Sequence, residues 1–105
     1  MHIYNVTVKL EPRAHARFLK WAERIYLPQL LEDGIIEHYT LTRLESIDDT
    51  DGPTYCLLLT FGSKTAFQLY KEKQLAGHEQ MLHDEFKGSY VSFPSELGVI
   101  LTSLT

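Results

Sequence analysis

The residues best suited to chemistry lie in segment 78–83, which reads HEQMLH. In the zinc-binding His-Glu-x-x-His motif the two histidines are four residues apart and share one helix face. Here His83 comes five residues after His78, which places the two imidazoles about 140° apart on a regular helix. We therefore expect no metal site. His78 is then a partly buried core residue at helical spacing from Leu82 and Phe86, and His83 is a surface partner of Glu79.

Two further groups of reactive side chains have simple structural interpretations. Asp48, Asp49 and Asp51 supply carboxylates of the kind that bind calcium, but a Gly-Pro pair follows directly, without the spaced ligands and closing Glu of a calcium loop. Residues 47–53 are better interpreted as a solvated hairpin turn. Cys56 has no basic neighbour in the sequence to activate it as a nucleophile, so we expect it to be buried in a strand.

Hydrophobic periodicity predicts the elements that must position these residues. Residues 3–10 alternate between apolar and polar side chains, which is typical of a half-buried strand. Pro12 suits the first position of a helix, and Gly34 suits the position just past a helix end. The sequence therefore predicts one long helix between them, with an apolar stripe that includes Trp21 and a kink at Pro28.

The second half of the chain predicts a hairpin, a helix and a strand. Alternation on both sides of the Asp-rich turn indicates two antiparallel strands, and a serine after the second of them is a good N-cap. The predicted elements are strands over 35–44 and 55–61, a helix from Ser63 to about residue 87 with Gly77 as a point of interruption, a last strand that begins over 90–93 before Pro94, and an apolar stretch at 99–101.

This order of elements predicts an α+β fold of the ferredoxin-like βαββαβ type, a four-stranded antiparallel sheet with two helices on one face. A length of 105 residues favours one domain over 1–105. The other sheet face carries small, semi-polar side chains, so we expect a second copy to cover it in a homodimer that buries on the order of 1,600 Å². The predicted members of this open face are Asn5, Thr7, His38, Thr40, Thr42, Cys56, Leu58 and Thr60.

Two sets of residues are candidates for binding a small ligand. Asn5, His38 and Thr40 are polar groups on the face that a dimer would enclose, where they bind a ligand or fill the interface by pairing with each other or with water. Trp21 on the first helix and Phe61 at the end of the third strand line a cleft between helices and sheet, or belong to the aromatic core.

Composition excludes several partners and compartments. The net charge is −4 and the basic residues are scattered, so nothing in the chain is suited to track a phosphate backbone. The longest apolar run, residues 56–59, is far shorter than the ~20 residues that span a bilayer. With one cysteine and no pattern of a secretory signal, we expect a cytoplasmic protein without disulfides.

Several segments resemble a known group of proteins. The similarity is to an uncharacterised bacterial family of domains of unknown function. Its first strand resembles residues 3–8 (IYNVTV), and its last strand resembles residues 90–93 (YVSF). Its first helix resembles the segment that contains Trp21, residues 27–31 (LPQLL) and Gly34. That family falls within the dimeric α+β barrel superfamily. The resemblance implies the fold and a dimer, and none of these segments is a catalytic signature.

Residues 61–67 (FGSKTAF) resemble the strand–helix junction of more distant members, cofactor-free monooxygenases of antibiotic biosynthesis and haem-degrading oxygenases. The haem-degrading members carry an Asn on the first strand, a Trp at this junction and a His on the second helix. Asn5 and His78 match the first and third, whereas Phe61 replaces the Trp. The resemblance would make His78 a proton-transfer group and Asn5 a residue that orients substrate or oxygen.

The sequence thus favours an uncharacterised dimeric α+β barrel protein that acts as a non-catalytic small-ligand-binding or interaction domain without metal or cofactor. The alternative is a cofactor-free monooxygenase-like enzyme for a small aromatic or apolar substrate, with Asn5, Trp21, Phe61 and His78 in its pocket. A third hypothesis is a structural protein that buries its sheet on an unrelated partner.

Overall fold

The computed structural model describes residues 1–104 and confirms the ferredoxin-like arrangement. The sheet is fully antiparallel in the order β2-β3-β1-β4. The strands are β1 (His2–Leu10), β2 (His38–Arg43), β3 (Thr54–Phe61) and β4 (Tyr90–Gly98), and the helices are α1 (His15–Trp21), α2 (Leu27–Leu31), α3 (Lys64–Lys73) and α4 (Leu75–Phe86).

The core lies between the helices and the two central strands, β1 and β3. Cross-strand pairs in register, such as Tyr4 with Leu59 and Val8 with Tyr55, are buried on the helix side. Side chains alternate between the two faces of a strand, so the intervening residues of β1 and β3 lie on the open face. The largest fully buried side chains are Tyr70, Phe61, Phe67, Phe86, Leu10, Leu30, Ile36 and Leu59.

The first helical region is not one continuous helix. A short 3₁₀ turn (Pro12–Ala14) leads into α1, and a π-helical segment (Ala22–Tyr26) joins α1 to α2. The N–H of Leu27 bonds to the carbonyl of Ala22, five residues back, which widens the helix immediately before Pro28. A proline clashes with the carbonyl four residues before it, and a wider turn gives it room. The expected kink at Pro28 thus takes the form of a π turn ahead of the proline.

The second helical region is also divided, but Gly77 is not the point of division. The break is at Gln74, whose backbone (φ −130°, ψ −27°) ends α3 and begins α4, while Gly77 lies inside α4. At the start of α3, the Ser63 hydroxyl accepts a hydrogen bond from the Ala66 N–H at 3.1 Å, as expected of an N-cap. The sequence interpretation of Gly77 was wrong because a helix tolerates one glycine at a cost of only about 1 kcal/mol.

The last strand is longer than the sequence predicted. β4 continues through Pro94 to Gly98 and pairs with the whole of β1. Only every second N–H of an edge strand faces its neighbour, so such a strand can hold a proline. The extension adds Leu97 to the open face, where it joins Val91 and Phe93 of the predicted strand, since all three pair with open-face residues of β1.

The turn before β3 depends on one glycine. Gly52 has φ +124°, and a Cβ at this position would lie 1.8 Å from the carbonyl oxygen of Leu10. We predict that Gly52→Ala lowers the free energy of unfolding by about 3 kcal/mol, because it adds a clash to an unfavourable backbone conformation. The matched control is Gly34→Ala, where φ is +73° but no atom lies within 4 Å, with an expected cost of about 1–2 kcal/mol. Urea denaturation measures both, and equal losses would contradict the clash.

Candidate functional site

A cleft of about 50 Å³ lies between α4 and the helix-side faces of β1 and β4. It exists because the helices do not extend over β4, where Ser92 and Pro94 remain exposed at its border. Its polar lining consists of Tyr4, Tyr26, Tyr70, Tyr90, His78, Glu79 and Ser92, with Val6, Leu59, Leu75, Leu82 and Pro94 as the apolar part. We call it the tyrosine cleft.

Different elements bring the four tyrosines together. Tyr4 is a core-side residue of β1, and Tyr90 begins β4 opposite Leu10. Tyr26 ends the π-helical segment, and Tyr70 lies in the last turns of α3. No short spacing in the sequence links these positions, and only the register of the strands and the two helix breaks place them around one space.

His78 is fixed in this cleft by a hydrogen bond. Its Nδ1 lies 2.9 Å from the hydroxyl of Tyr70, and both side chains are buried. Burial lowers the pKa of His78 below its ordinary value, against a smaller opposing effect of Asp33. Burial also raises the pKa of the Tyr70 hydroxyl. Both groups are therefore neutral near pH 7, and the position predicted for His78, partly buried against the core, agrees with the structure.

Trp21 and Phe61 support the tyrosine cleft without lining it. The indole of Trp21 stacks on Tyr26 with ring centroids 4.7 Å apart and meets Phe86 edge-on at 5.2 Å. Phe61 is fully buried and contacts Phe67, with ring centroids 5.3 Å apart. Of the two interpretations of these aromatic residues, the structure matches the core one, since each is surrounded by other rings.

The polar residues of the open face do not meet at a point. Leu58 of β3 pairs with Asn5 on one side and with Thr40 on the other, so Asn5 and Thr40 are two strands apart, or about 10 Å. His38 pairs with Thr60, one row farther along. Within one chain these residues form a spaced polar pattern rather than a pocket.

Asn5 has an unsatisfied acceptor. Its amide Nδ2 donates to the Thr7 hydroxyl at 3.0 Å, while its Oδ1 is buried and has no hydrogen-bond partner among the described residues. A buried polar atom without a partner costs roughly 1–3 kcal/mol. Native proteins seldom leave such a group unpaired.

Asn5 and His78 lie on opposite sides of the sheet. Asn5 is on the open face of β1, whereas His78 lines the tyrosine cleft on the helix side. One substrate bound to a single chain cannot contact both. The resemblance to oxygenases implied that Asn5 and His78 act on one substrate, and a single chain does not bring these two residues together.

Among residues 1–104, no group of three or more His, Cys, Asp or Glu side chains lies close enough to hold a metal ion. In the same range, no helix combines the length and apolar character that a membrane span needs.

Two features of the candidate sites escaped the sequence interpretation. The tyrosine cleft was missed. Repeated tyrosines at core-facing positions are a signal for such a site, because a buried hydroxyl needs a polar neighbour. The apolar stripe of β4 was missed because Val91 and Phe93, although predicted to lie in a strand, were not assigned to a sheet face, and because the strand was ended at Pro94, before Leu97. A proline in a strand is compatible with an edge position, and the alternation continues beyond it to Leu97.

Comparison with known proteins agrees with this architecture. A crystal structure of a dimeric ferredoxin-like protein from an uncultured marine organism superimposes with a TM-score of 0.65 at 8% sequence identity, and the alignment covers 96% of each chain. The similarity shows that this chain is a ferredoxin-like α+β domain. No curated protein matches the sequence.

Residues 1–100 match the family model described as Domain of unknown function (DUF4286). The chain belongs to that family. This confirms the resemblance to an uncharacterised family that the first strand, first helix and last strand indicated, and it assigns no activity.

We predict that Tyr70→Phe destabilises the fold by about 1–3 kcal/mol, because it leaves buried Nδ1 of His78 without its hydroxyl partner. Tyr39→Phe is the matched control, since Tyr39 is exposed on β2 and its loss should change stability by less than about 0.5 kcal/mol. Urea denaturation at pH 7 compares the two variants. Equal midpoints would show that the Tyr70–His78 bond does not stabilise the fold.

The lowered pKa of His78 predicts an acid-dependent loss of stability. As the pH falls below the ordinary value of 6.5, the unfolded chain takes up a proton on His78 before the folded chain does, so the free energy of unfolding decreases. The His78→Gln variant should lose less stability than the parent between pH 7 and pH 5. Denaturation midpoints over this range test the prediction, and parallel curves for the two proteins would refute it.

Proposed function

We propose that this protein is a non-catalytic domain that forms a homodimer through its open sheet face and binds a small ligand in the tyrosine cleft. One observation carries the proposal, namely the exposed apolar stripe of β4. Val91, Phe93 and Leu97 are 52%, 61% and 46% exposed and all lie on the open face. Together with Ile3, which pairs with Leu97, they form an exposed apolar stripe of the kind that marks protein interfaces.

The unsatisfied Oδ1 of Asn5 supports the same interface. Asn5 pairs with Ser95 on β4 and with Leu58 on β3, so it lies in the middle of the open face. A second copy packed on this face would bring donors such as serine and threonine hydroxyls towards it. Two identical faces with this mixture of apolar and small polar groups can pair about a twofold axis.

The similar marine protein is described as dimeric, and it shares the whole fold of this chain. We infer that the same mode of association operates here. The segment after β4 would add to it, because Ile100 and Leu101 are almost fully exposed, Leu104 is largely exposed, and all three follow the interface strand. Their apolar side chains suit the neighbouring edge of the partner's sheet.

The tyrosine cleft lies on the other side of the sheet from this interface. Its lining on β1 and β4 consists of helix-side residues such as Tyr4 and Ser92. A face-to-face dimer would therefore leave both clefts accessible. Buried polar groups around a small apolar space are typical of sites that orient a ligand.

We further propose that the protein works in the bacterial cytoplasm. The observation in favour is Cys56, a free and only partly accessible thiol on β3. A reducing compartment keeps such a thiol free.

The dimer is tested by changing its apolar stripe. We predict that the parent protein sediments at twice its chain mass of 12.1 kDa, and that Phe93→Glu shifts it to the monomer because a buried carboxylate would oppose association. The matched control is Leu69→Glu, which places the same change on an exposed apolar residue of α3 and should leave the dimer intact. Analytical ultracentrifugation at micromolar concentration measures both.

Circular dichroism establishes that each variant is folded before its mass is interpreted. A parent protein that is monomeric, or a dimer that Leu69→Glu disrupts and Phe93→Glu does not, would overturn the proposed interface.

A further inference from the structure

The tyrosine cleft carries an unbalanced negative charge. Glu79 is the one charged side chain in its lining, which includes no Lys or Arg. Within the described part of the chain, Glu79 takes part in no salt bridge or side-chain hydrogen bond. The surface pair predicted between Glu79 and His83 was therefore wrong, and His83 Nδ1 lies 3.4 Å from the Tyr90 hydroxyl instead. The pKa of all four tyrosine hydroxyls in the cleft is raised, chiefly by burial. The nearby negative charge of Glu79 raises each of these pKa values further.

The neutral aromatic rings around Glu79 are suited to a cation. Tyr4, Tyr26, Tyr70 and Tyr90 remain protonated at pH 7, so they offer phenol rings and hydroxyl groups instead of charge. Ammonium groups are attracted to the faces of tyrosine rings within about 6 Å, by about 0.5–2 kcal/mol per contact. His78 is neutral and does not repel a cation. An anion, by contrast, would meet the Glu79 carboxylate with no positive group in the lining to offset the repulsion.

The size of the cleft limits the bound group. A volume of 50 Å³ corresponds to about three to five water molecules, since about 10–15 Å³ on this measure holds one. An ammonium nitrogen with up to three methyl groups has a similar number of heavy atoms. A drug-sized aromatic compound does not fit this space.

A neighbouring groove gives the rest of such a molecule a path outward. It shares Tyr4, Leu75 and Pro94 with the tyrosine cleft and continues to Lys71 and Glu96. One polar substituent could therefore extend from the ammonium group towards solvent.

We propose that the tyrosine cleft is a binding site for small alkylated ammonium groups, held by its tyrosine rings and by the carboxylate of Glu79. This inference rests on the ligand-binding part of the proposed function and is independent of the dimer interface.

The test compares two molecules of the same shape and different charge. Choline carries a trimethylammonium group, and 3,3-dimethylbutan-1-ol replaces its nitrogen by carbon. We expect choline to bind at least about tenfold more tightly, since the attraction of ring and carboxylate requires the charge. Two-dimensional ¹H–¹⁵N NMR titration of the full chain gives both affinities, and the largest choline-induced shifts should be at residues 70, 78, 79 and 90.

A charge-neutral variant tests the role of the carboxylate. Glu79→Gln should weaken choline binding by about three- to fivefold, because Glu79 is exposed and exposed ion pairs contribute little. The matched control is Glu72→Gln, which makes the same change in net charge on an exposed residue of α3 outside the cleft. It should leave the affinity within experimental error.

The outcomes separate this inference from the proposed function. Equal binding of choline and its carbon analogue at the cleft would overturn the ammonium class and retain a ligand site. Absence of choline binding, shifts confined to another surface, or equal effects of the two Glu variants would overturn the ammonium proposal. The sedimentation experiment on Phe93→Glu decides the dimer separately.

Discussion

The helices of this domain cover the two central strands of the sheet and leave both edge strands bare. β1 and β3 are buried on their helix side, whereas β2 and β4 consist almost entirely of exposed residues. The uncovered edge at β4 produces the tyrosine cleft on one side of the sheet and the apolar stripe on the other.

A network of aromatic rings holds the helices together over the central strands. Phe18 and Trp21 on α1 contact Phe86 on α4, and Trp21 stacks on Tyr26. Such ring pairs stabilise a core beyond the burial of their area, by about 0.5–1.5 kcal/mol each. Because Tyr26 is fixed from behind by Trp21, its remaining surface is available to the tyrosine cleft. The core and the candidate site are thus parts of one aromatic cluster.

The fold was predictable from the sequence where local periodicity determines structure. The alternation of apolar and polar residues predicted β1 and β3 and the sheet face of each side chain, since a shift of one residue would bury every polar side chain. The breaks were harder to predict. Gln74 divides α3 from α4 although it is a good helix former, and tertiary packing overrides such propensities. Pro94 was taken as a strand end because a strand accepts a proline mainly at the edge of a sheet. Whether β4 is an edge strand depends on the order of strands in the sheet.

The candidate site was less accessible to prediction than the fold. Asn5, His38 and Thr40 were assigned to the right face, but their spacing depends on Leu58 between them, and therefore on strand order. His78 was correctly described as partly buried. Its partnership with Tyr70 depends on the break at Gln74, which sets the direction in which α4 leaves α3. Tyrosines from four separate elements meet only in three dimensions.

Pro94 has a consequence for how copies of this chain can assemble. Strands that join edge to edge extend a sheet without limit, which is the route to fibres. A proline in β4 withholds one backbone donor along that edge, so continuous pairing there is interrupted. Contact between two faces, in contrast, uses up the available surface once two copies have met. The same strand that presents the apolar stripe thereby favours a closed assembly over an open-ended one.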